Sequence, residues 1–309
     1  MADIVISEFM DEAAIAAQLA GRDVVYDPKL VDQPERLLSL LGDARALVVR
    51  NRTQVRGDLL AAATKLKVVG RLGVGLDNID MAACRARDIA VFPATGANDV
   101  AVAEYVIAAA LVLVRGAYAA SADVALGKWP RNALIGGEVM GRRLGLVGYG
   151  AIARETATRA RALGMDVAAF DPHLPAGDPR WAGASRLSLA ALLETSDVVS
   201  LHVPLTDETR RMIDAAALSR MKKTAILVNA ARGGVVDEDA LAAALREKRL
   251  GGAALDVFEE EPLSAAQGAR FAGIPNLILT PHIAGVTDES NVRVSRVTLE
   301  NVVRALDGR

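Results

Sequence analysis

Cysteine occurs once in the chain, at Cys84, and histidine three times, at His173, His202 and His282. A single thiol excludes an internal disulfide and a cysteine-built metal cluster, and it fits a reducing compartment. Three scattered histidines leave no basis for a zinc site, so no metal is expected. Aromatic residues make up only 4% of the 309 positions, and the formal net charge is −2. Without a basic excess, neither nucleic acid nor an anionic membrane surface is an expected partner. The longest apolar run, residues 101–114, is interrupted by Glu104 and is shorter than a bilayer span. The opening MADIVISEFMDEAA carries acids where a leader peptide carries lysine or arginine. A soluble, cytoplasmic protein is the expectation.

What the chain has in abundance is short apolar runs alternating with helical patterns. DIVIS (3–7), VVYD (24–27), ALVVR (46–50), VVGRLG (68–73) and IAVFP (89–93) are strand-like, and residues 11–20, 34–41, 57–64 and 80–87 between them have helical spacing or length. A long helix over 100–120 breaks the rhythm. Alternation then resumes with strands at 144–150, 167–171, 198–204, 225–232, 253–258 and 277–282, and a final helix runs over about 287–306. Regular strand–helix alternation predicts parallel sheets covered on both faces. The fold class is therefore α/β, with two doubly wound, Rossmann-like units.

LGLVGYGAIA (144–153) is a strand that opens into a helix through Gly148, Gly150 and Ala153. The two glycines permit a tight turn and close backbone approach to a pyrophosphate, and the helix N-terminus supplies amide donors. Such a turn is weak evidence alone. The next strand adds Asp171, about twenty residues on, where a carboxylate accepts hydrogen bonds from ribose hydroxyls and repels a 2′-phosphate. NAD is thus favoured over NADP as cofactor, with His173 in a solvated loop beside the adenosine.

Three further residues follow strands of the second unit: Arg232 in AILVNAARGG, Glu261 in FEEEP and His282 in TPHIAG. Open parallel sheets present ligands at strand C-termini, so all three can project into one crevice. A histidine there can give a proton to a ketone oxygen as hydride arrives and remove it in reverse. A carboxylate on its other ring nitrogen holds the tautomer, and an arginine fork clamps a substrate carboxylate. Taken singly, Arg232 could equally be a surface ion pair, and EEEP a solvated acidic turn.

With these motifs in order, the whole chain resembles the D-isomer-specific 2-hydroxyacid dehydrogenases, in their phosphoglycerate-dehydrogenase-like branch. GRLGVGLDNID (70–80) looks like the family's substrate loop, LGLVGYGAIA with Asp171 its NAD fingerprint, and SLHVPLTDET (200–209) the following strand and turn. LVNAARGGVVDE carries the family's arginine as Arg232, LDVFEEEP its glutamate as Glu261 rather than Glu259 or Glu260, and LTPHIAG its histidine as His282. Ala153 departs from a third glycine, and Tyr149 stands where other residues are common. The resemblance implies a flavodoxin-like substrate-binding domain, residues 1–97 and 288–309, hinged to an NAD-binding domain, residues 98–287. It also implies a homodimer built around the long helix. It places Ala151 and Ile152 at the pyrophosphate, Ala230 and Ala231 at the nicotinamide, and Asp256 at its amide. Pro204, Ala284 and Gly285, with Arg232 and His282 as further contacts, complete the cofactor set. Backbone amides near Val74 and Gly75 would hold the substrate carboxylate. A regulatory extension is not expected, since the chain stops after its final helix.

VVRNRTQVRG (48–57) sharpens the substrate. In phosphate-using relatives a strand-end arginine resembling Arg50, with its neighbour, contacts the distal phosphate; here that neighbour is Asn51. A 2-hydroxy acid with a second anion on C3 fits, phosphate or sulfonate. This stretch and the opening MADIVISEFMDE together look most like the bacterial sulfonate-using members of the branch, a resemblance that implies (S)-3-sulfolactate and 3-sulfopyruvate, with 3-phosphoglycerate or glyoxylate/hydroxypyruvate as alternatives. Arg52 and Arg56 are expected in solvent. Because corepressors share this fold, an NAD-sensing scaffold is the non-enzymatic alternative.

Overall fold

The computed structural model describes residues 2–308, which divide into two compact units. One comprises the chain up to Asn98 together with the segment from Val286 onwards; the other is Asp99–Gly285. The first holds strands β1 (Ile4–Ile6), β2 (Val24–Tyr26), β3 (Ala46–Val49), β4 (Val68–Arg71) and β5 (Ala90–Pro93). They form one sheet in the order β2-β1-β3-β4-β5, every pairing parallel. Strand alternation sorts the side chains by face. Val5, Leu47, Val49 and Val69 pack with Leu37, Leu41, Leu60 and Cys84 on one side. Ile4, Ile6, Val48 and Val68 pack with Ala14, Val294, Leu299 and Val302 on the other. Burial of both faces is why these strands read as unbroken apolar runs.

Val294, Leu299 and Val302 belong to the last helix, Asp288–Leu306, whose entry is fixed by a reciprocal cap between Thr287 and Ser290. This helix lies close against β4 at Gly70. A Cβ there would stand 2.6 Å from Val302 and 2.8 Å from Thr298.

The second unit holds β6 (Arg143–Val147), β7 (Asp166–Phe170), β8 (Ser185–Arg186), β9 (Val198–Leu201), β10 (Ile226–Asn229), β11 (Gly252–Leu255) and β12 (Leu277–Leu279). The sheet order is β12-β11-β10-β9-β6-β7-β8, again all parallel. Chain order reverses beside β6, and such a switch point is where doubly wound sheets bind ligands. The α/β class and the parallel sheets agree with the sequence pattern, with two differences. β8 is a two-residue exposed edge with no apolar periodicity to reveal it. The long helix ends at Arg115 rather than residue 120, because Gly116 turns left-handed at φ 66° and a 3-10 turn follows.

Candidate active site

Three adjacent strands, β10, β11 and β12, deliver the residues that the sequence singled out for chemistry. Asn229, buried at the end of β10, holds the loop that follows: its Oδ1 accepts the Ala231 N–H at 3.1 Å, and its Nδ2 donates to the Arg232 carbonyl at 3.0 Å. Gly233 then passes so near Phe258 that a Cβ would fall 1.7 Å from the Phe258 carbonyl oxygen. The Arg232 loop and the loop after β11 are thereby packed backbone to backbone, with Ala230 and Ala231 half-buried between strand and arginine.

Glu261 reaches His282. Its Oε2 lies 2.6 Å from His282 Nδ1, and its Oε1 accepts the Phe258 N–H at 3.0 Å. Burial alone raises the Glu261 carboxyl, but the His282 hydrogen bond and charge, the Phe258 amide and the Arg232 guanidinium together outweigh it and hold the group below its ordinary value. Arg232 is thus electrostatically coupled to the pair. Glu238, buried beneath the loop, accepts the Glu259 N–H at 2.6 Å and fixes the backbone two residues before Glu261. Burial raises the Glu238 carboxyl.

His282 itself sits at φ 54°, a left-handed conformation uncommon for a residue bearing a Cβ. Asp256, the buried residue after β11, holds that turn. Its Oδ1 accepts the Thr280 hydroxyl at 2.6 Å and the Ile283 N–H at 2.8 Å, and its Oδ2 accepts the Ala284 N–H at 2.8 Å. The Asp256 carbonyl takes the His282 N–H at 2.7 Å. Tyr105, from the long helix, completes the network at 2.6 Å from the Thr280 hydroxyl. With Nδ1 committed to Glu261, Nε2 is the ring position left for a substrate proton. His202 is a different case: burial pushes it down to about 4, so its ring is uncharged near neutrality.

The glycine turn after β6 lies at the switch point. Gly148 has φ 86°, and a Cβ there would come within 2.5 Å of the His202 carbonyl oxygen. Gly150 is not required by such crowding: its φ is −71°, and nothing lies within 4 Å of its absent Cβ. It opens the helix Ala151–Ala162 with no side-chain cap, leaving first-turn amides at exposed Ala151 and half-buried Ile152. An uncapped helix N-terminus facing open space fits the pyrophosphate of a dinucleotide. Ala153 is fully buried where a third glycine would stand. Asp171, just past β7, accepts the Tyr149 N–H and the exposed His173 N–H, each at 2.9 Å. The buried Tyr149 ring stacks on Trp181 at 5.3 Å. Pro204 is exposed, and its carbonyl takes the Thr209 hydroxyl. Ala284 is buried and Gly285 half-buried beyond the His282 turn. Among the described residues, no group of acids, histidines and cysteines could hold a metal ion.

In the other unit the N–H groups of Val74, exposed, and Gly75, buried, have no acceptor among the described residues. Arg50, half-buried at the end of β3, donates through Nη2 to Asn291 Oδ1 at 2.8 Å and through Nη1 to the Phe9 carbonyl at 3.4 Å. Asn51 beside it is exposed. Arg52 is exposed and pairs with Asp32, while Arg56 donates to the Asp77 carbonyl at 2.7 Å. Asn229, Thr280, Tyr105 and Asn291 escaped sequence reasoning. Only Asn229 carried a signal, as a polar residue closing an apolar strand.

Known proteins bear on this arrangement. The family model for the D-isomer specific 2-hydroxyacid dehydrogenase NAD binding domain matches residues 107–284. A protein described as (S)-sulfolactate dehydrogenase, from Chromohalobacter salexigens, is 57% identical over the full length of both chains. D-3-phosphoglycerate dehydrogenase of Synechocystis is 36% identical over all of this chain, which spans only 55% of that protein's length. Among solved structures, the D-lactate dehydrogenase of Aquifex aeolicus complexed with NAD and lactic acid superposes with a TM-score of 0.86 at 29% identity, covering 99% of this chain and 96% of that one. A glycine turn open to a dinucleotide and a histidine–glutamate pair coupled to an arginine thus stand in a matching fold, and the chain belongs to the D-isomer-specific 2-hydroxyacid dehydrogenases, NAD-dependent oxidoreductases.

Proposed function

We propose that this dehydrogenase interconverts (S)-3-sulfolactate and 3-sulfopyruvate. The observation that carries the reading is Arg50, a half-buried guanidinium whose side-chain hydrogen-bond partners among the described residues are neutral, in a chain so similar to a protein described as (S)-sulfolactate dehydrogenase. When bound, the cofactor would supply hydride to the 2-oxo carbon as NADH, or accept it from the 2-hydroxy carbon as NAD+. His282 Nε2 gives the accompanying proton to the ketone oxygen and takes it back in oxidation. Glu261 holds the ring through Nδ1 and stabilises its protonated form. Arg232 clamps the carboxylate and polarises the neighbouring carbonyl, with the Val74 and Gly75 amides as further donors. Asp171 takes the ribose hydroxyls, the Ala151 and Ile152 amides the pyrophosphate, and Ala230, Ala231, Asp256, Pro204, Ala284 and Gly285 line the remainder of the cofactor. Arg50, with Asn51 at its side, is left for the sulfonate.

The first unit serves on this reading as the substrate-binding domain. We place the enzyme in the cytoplasm, and we assign it a homodimer. Leu126, Trp129, Ile135 and Met140, each at least 75% exposed, form a run of apolar residues after the long helix that a second copy would cover. Light scattering on a sizing column checks the dimer. The substrate is tested by steady-state reduction of sulfopyruvate, phosphohydroxypyruvate, hydroxypyruvate, glyoxylate and pyruvate with NADH and NADPH. Sulfopyruvate with NADH should have the highest kcat/KM. Much faster turnover of phosphohydroxypyruvate or glyoxylate would replace this substrate with the other.

A further inference from the structure

We infer that Asn291 is a specificity-determining residue, which holds the Arg50 guanidinium without neutralising it and adds its own amide N–H to the anion on C3 of the substrate. The inference rests on the reading of a doubly anionic substrate and names the second group that recognises it.

The backbone around Arg50 is rigid. Glu8, buried after β1, accepts the N–H groups of Arg50 at 2.9 Å, Thr53 at 3.0 Å and Arg52 at 3.1 Å. Its oxygens are thus spent on the loop backbone rather than on the Arg50 side chain. Asn78, also buried, donates from Nδ2 to the carbonyls of Arg50 at 3.2 Å and Thr53 at 2.7 Å. The loop is held from both its donors and its acceptors, and Arg50 leaves it in one direction.

The side chain forms no ion pair among the described residues, although the Glu8 carboxylate acts on it through space. Its partners are Asn291 Oδ1, the Phe9 carbonyl and the Phe9 ring, whose centroid lies 5.8 Å from Cζ. Among the described residues no carboxylate forms an ion pair with Arg50, whereas Arg52, two positions on, pairs with Asp32. A guanidinium has five N–H donors, and two are used here. The Asn291 Nδ2 hydrogens also find no acceptor among the described residues. What remains is a cluster of donors with positive charge, matched to an oxyanion of several oxygens. An aspartate at 291 would keep the shape and fill the site with the wrong charge.

Asn291→Asp is a mild change for the fold, since position 291 lies in the first turns of the helix Asp288–Leu306, where negative charge is favourable. The variant and the parent enzyme are assayed with NADH on sulfopyruvate, phosphohydroxypyruvate and glyoxylate, with melting temperature and NAD affinity measured alongside. For the doubly anionic substrate the parent prefers, KM should rise about ten-fold or more with a smaller change in kcat, so its kcat/KM falls at least ten-fold relative to glyoxylate. Asn291→Ser, which removes the amide without adding charge, should give an intermediate ratio. An unchanged ratio, or an equal loss on both substrate types, would overturn the role of Asn291. The substrate reading is judged separately, by which dianion the parent enzyme prefers.

Discussion

The chain contains two glycine-rich turns after parallel strands, GRLGVG (70–75) and GLVGYG (145–150), and they solve different problems. Their first glycines act alike. Gly70 admits the helix Asp288–Leu306 against β4, and Gly145 admits Leu192 of the helix Leu189–Thr195 against β6. The turns themselves diverge. At Gly73, φ is 137°, and the space a Cβ would take is filled by the protein's own Arg71, whose Nη1 lies 1.7 Å from that point. At Gly150 the backbone is unstrained and the space is open. At Gly150, unlike at Gly73, no side chain of the chain fills the space beside the backbone, and that is what close approach of a phosphate needs. The same contrast extends to what holds each site. The Gly148 turn is held by the Asp171 carboxylate at the Tyr149 N–H, whereas Glu261 holds His282 at the ring itself.

Replacing Gly73 with alanine attacks the filled turn and should have the largest effect on stability. A side chain at φ 137° is strained and displaces Arg71, which lowers unfolding free energy by about 2 kcal/mol in chemical denaturation. A loss below roughly 0.5 kcal/mol would mean the turn relaxes and the contrast with Gly150 is weaker than drawn.

Gly150→Ala probes the open turn. It should leave the melting temperature within about a degree of the parent, because neither φ nor packing forbids a methyl group. It should nevertheless raise the Kd for NAD about ten-fold, read by fluorescence titration, since the methyl group enters the open space proposed for the pyrophosphate. Unaltered NAD affinity would show that the cofactor does not approach Gly150.

Glu261→Gln gives the smallest and most pH-dependent change. The folded Glu261 carboxyl lies below its ordinary 4.5, so its pairing adds stability above that pH and loses it as pH falls through the folded value. The melting-temperature gap between parent and variant should therefore be full near neutrality and close on acidification below about pH 4.5. A gap that stays constant with pH would assign Glu261 a packing role rather than an ionic one.

Much of the fold is legible in the sequence alone. Val5, Leu47 and Val69 go to one face of the first sheet and Ile4, Val48 and Val68 to the other, so apolar runs revealed strands buried on both sides. The edge strand Ser185–Arg186 was not legible, because two exposed polar residues carry no period. Nor was the early end of the long helix, since apolar residues continue past the left-handed Gly116. The places of Arg232, Glu261 and His282 after strands were readable, and the Glu261–His282 contact follows from them. The hydrogen bonds by which Asp256 holds the turn of His282 were not readable, since they join residues more than twenty positions apart.

The sequence by itself determined the alternation of strands and helices, the glycine turns, and which reactive side chains follow which strands. Each of these depends on residues within one turn or one pleat of each other. Tertiary structure decided which of those groups still has capacity for a ligand. Glu8 is consumed by three backbone amides, Arg71 fills its own glycine turn, and Arg50 meets Asn291 across 241 residues of chain. Hydrogen-bond capacity is finite and is spent on whatever folding brings near, and only the folded chain settles that neighbourhood.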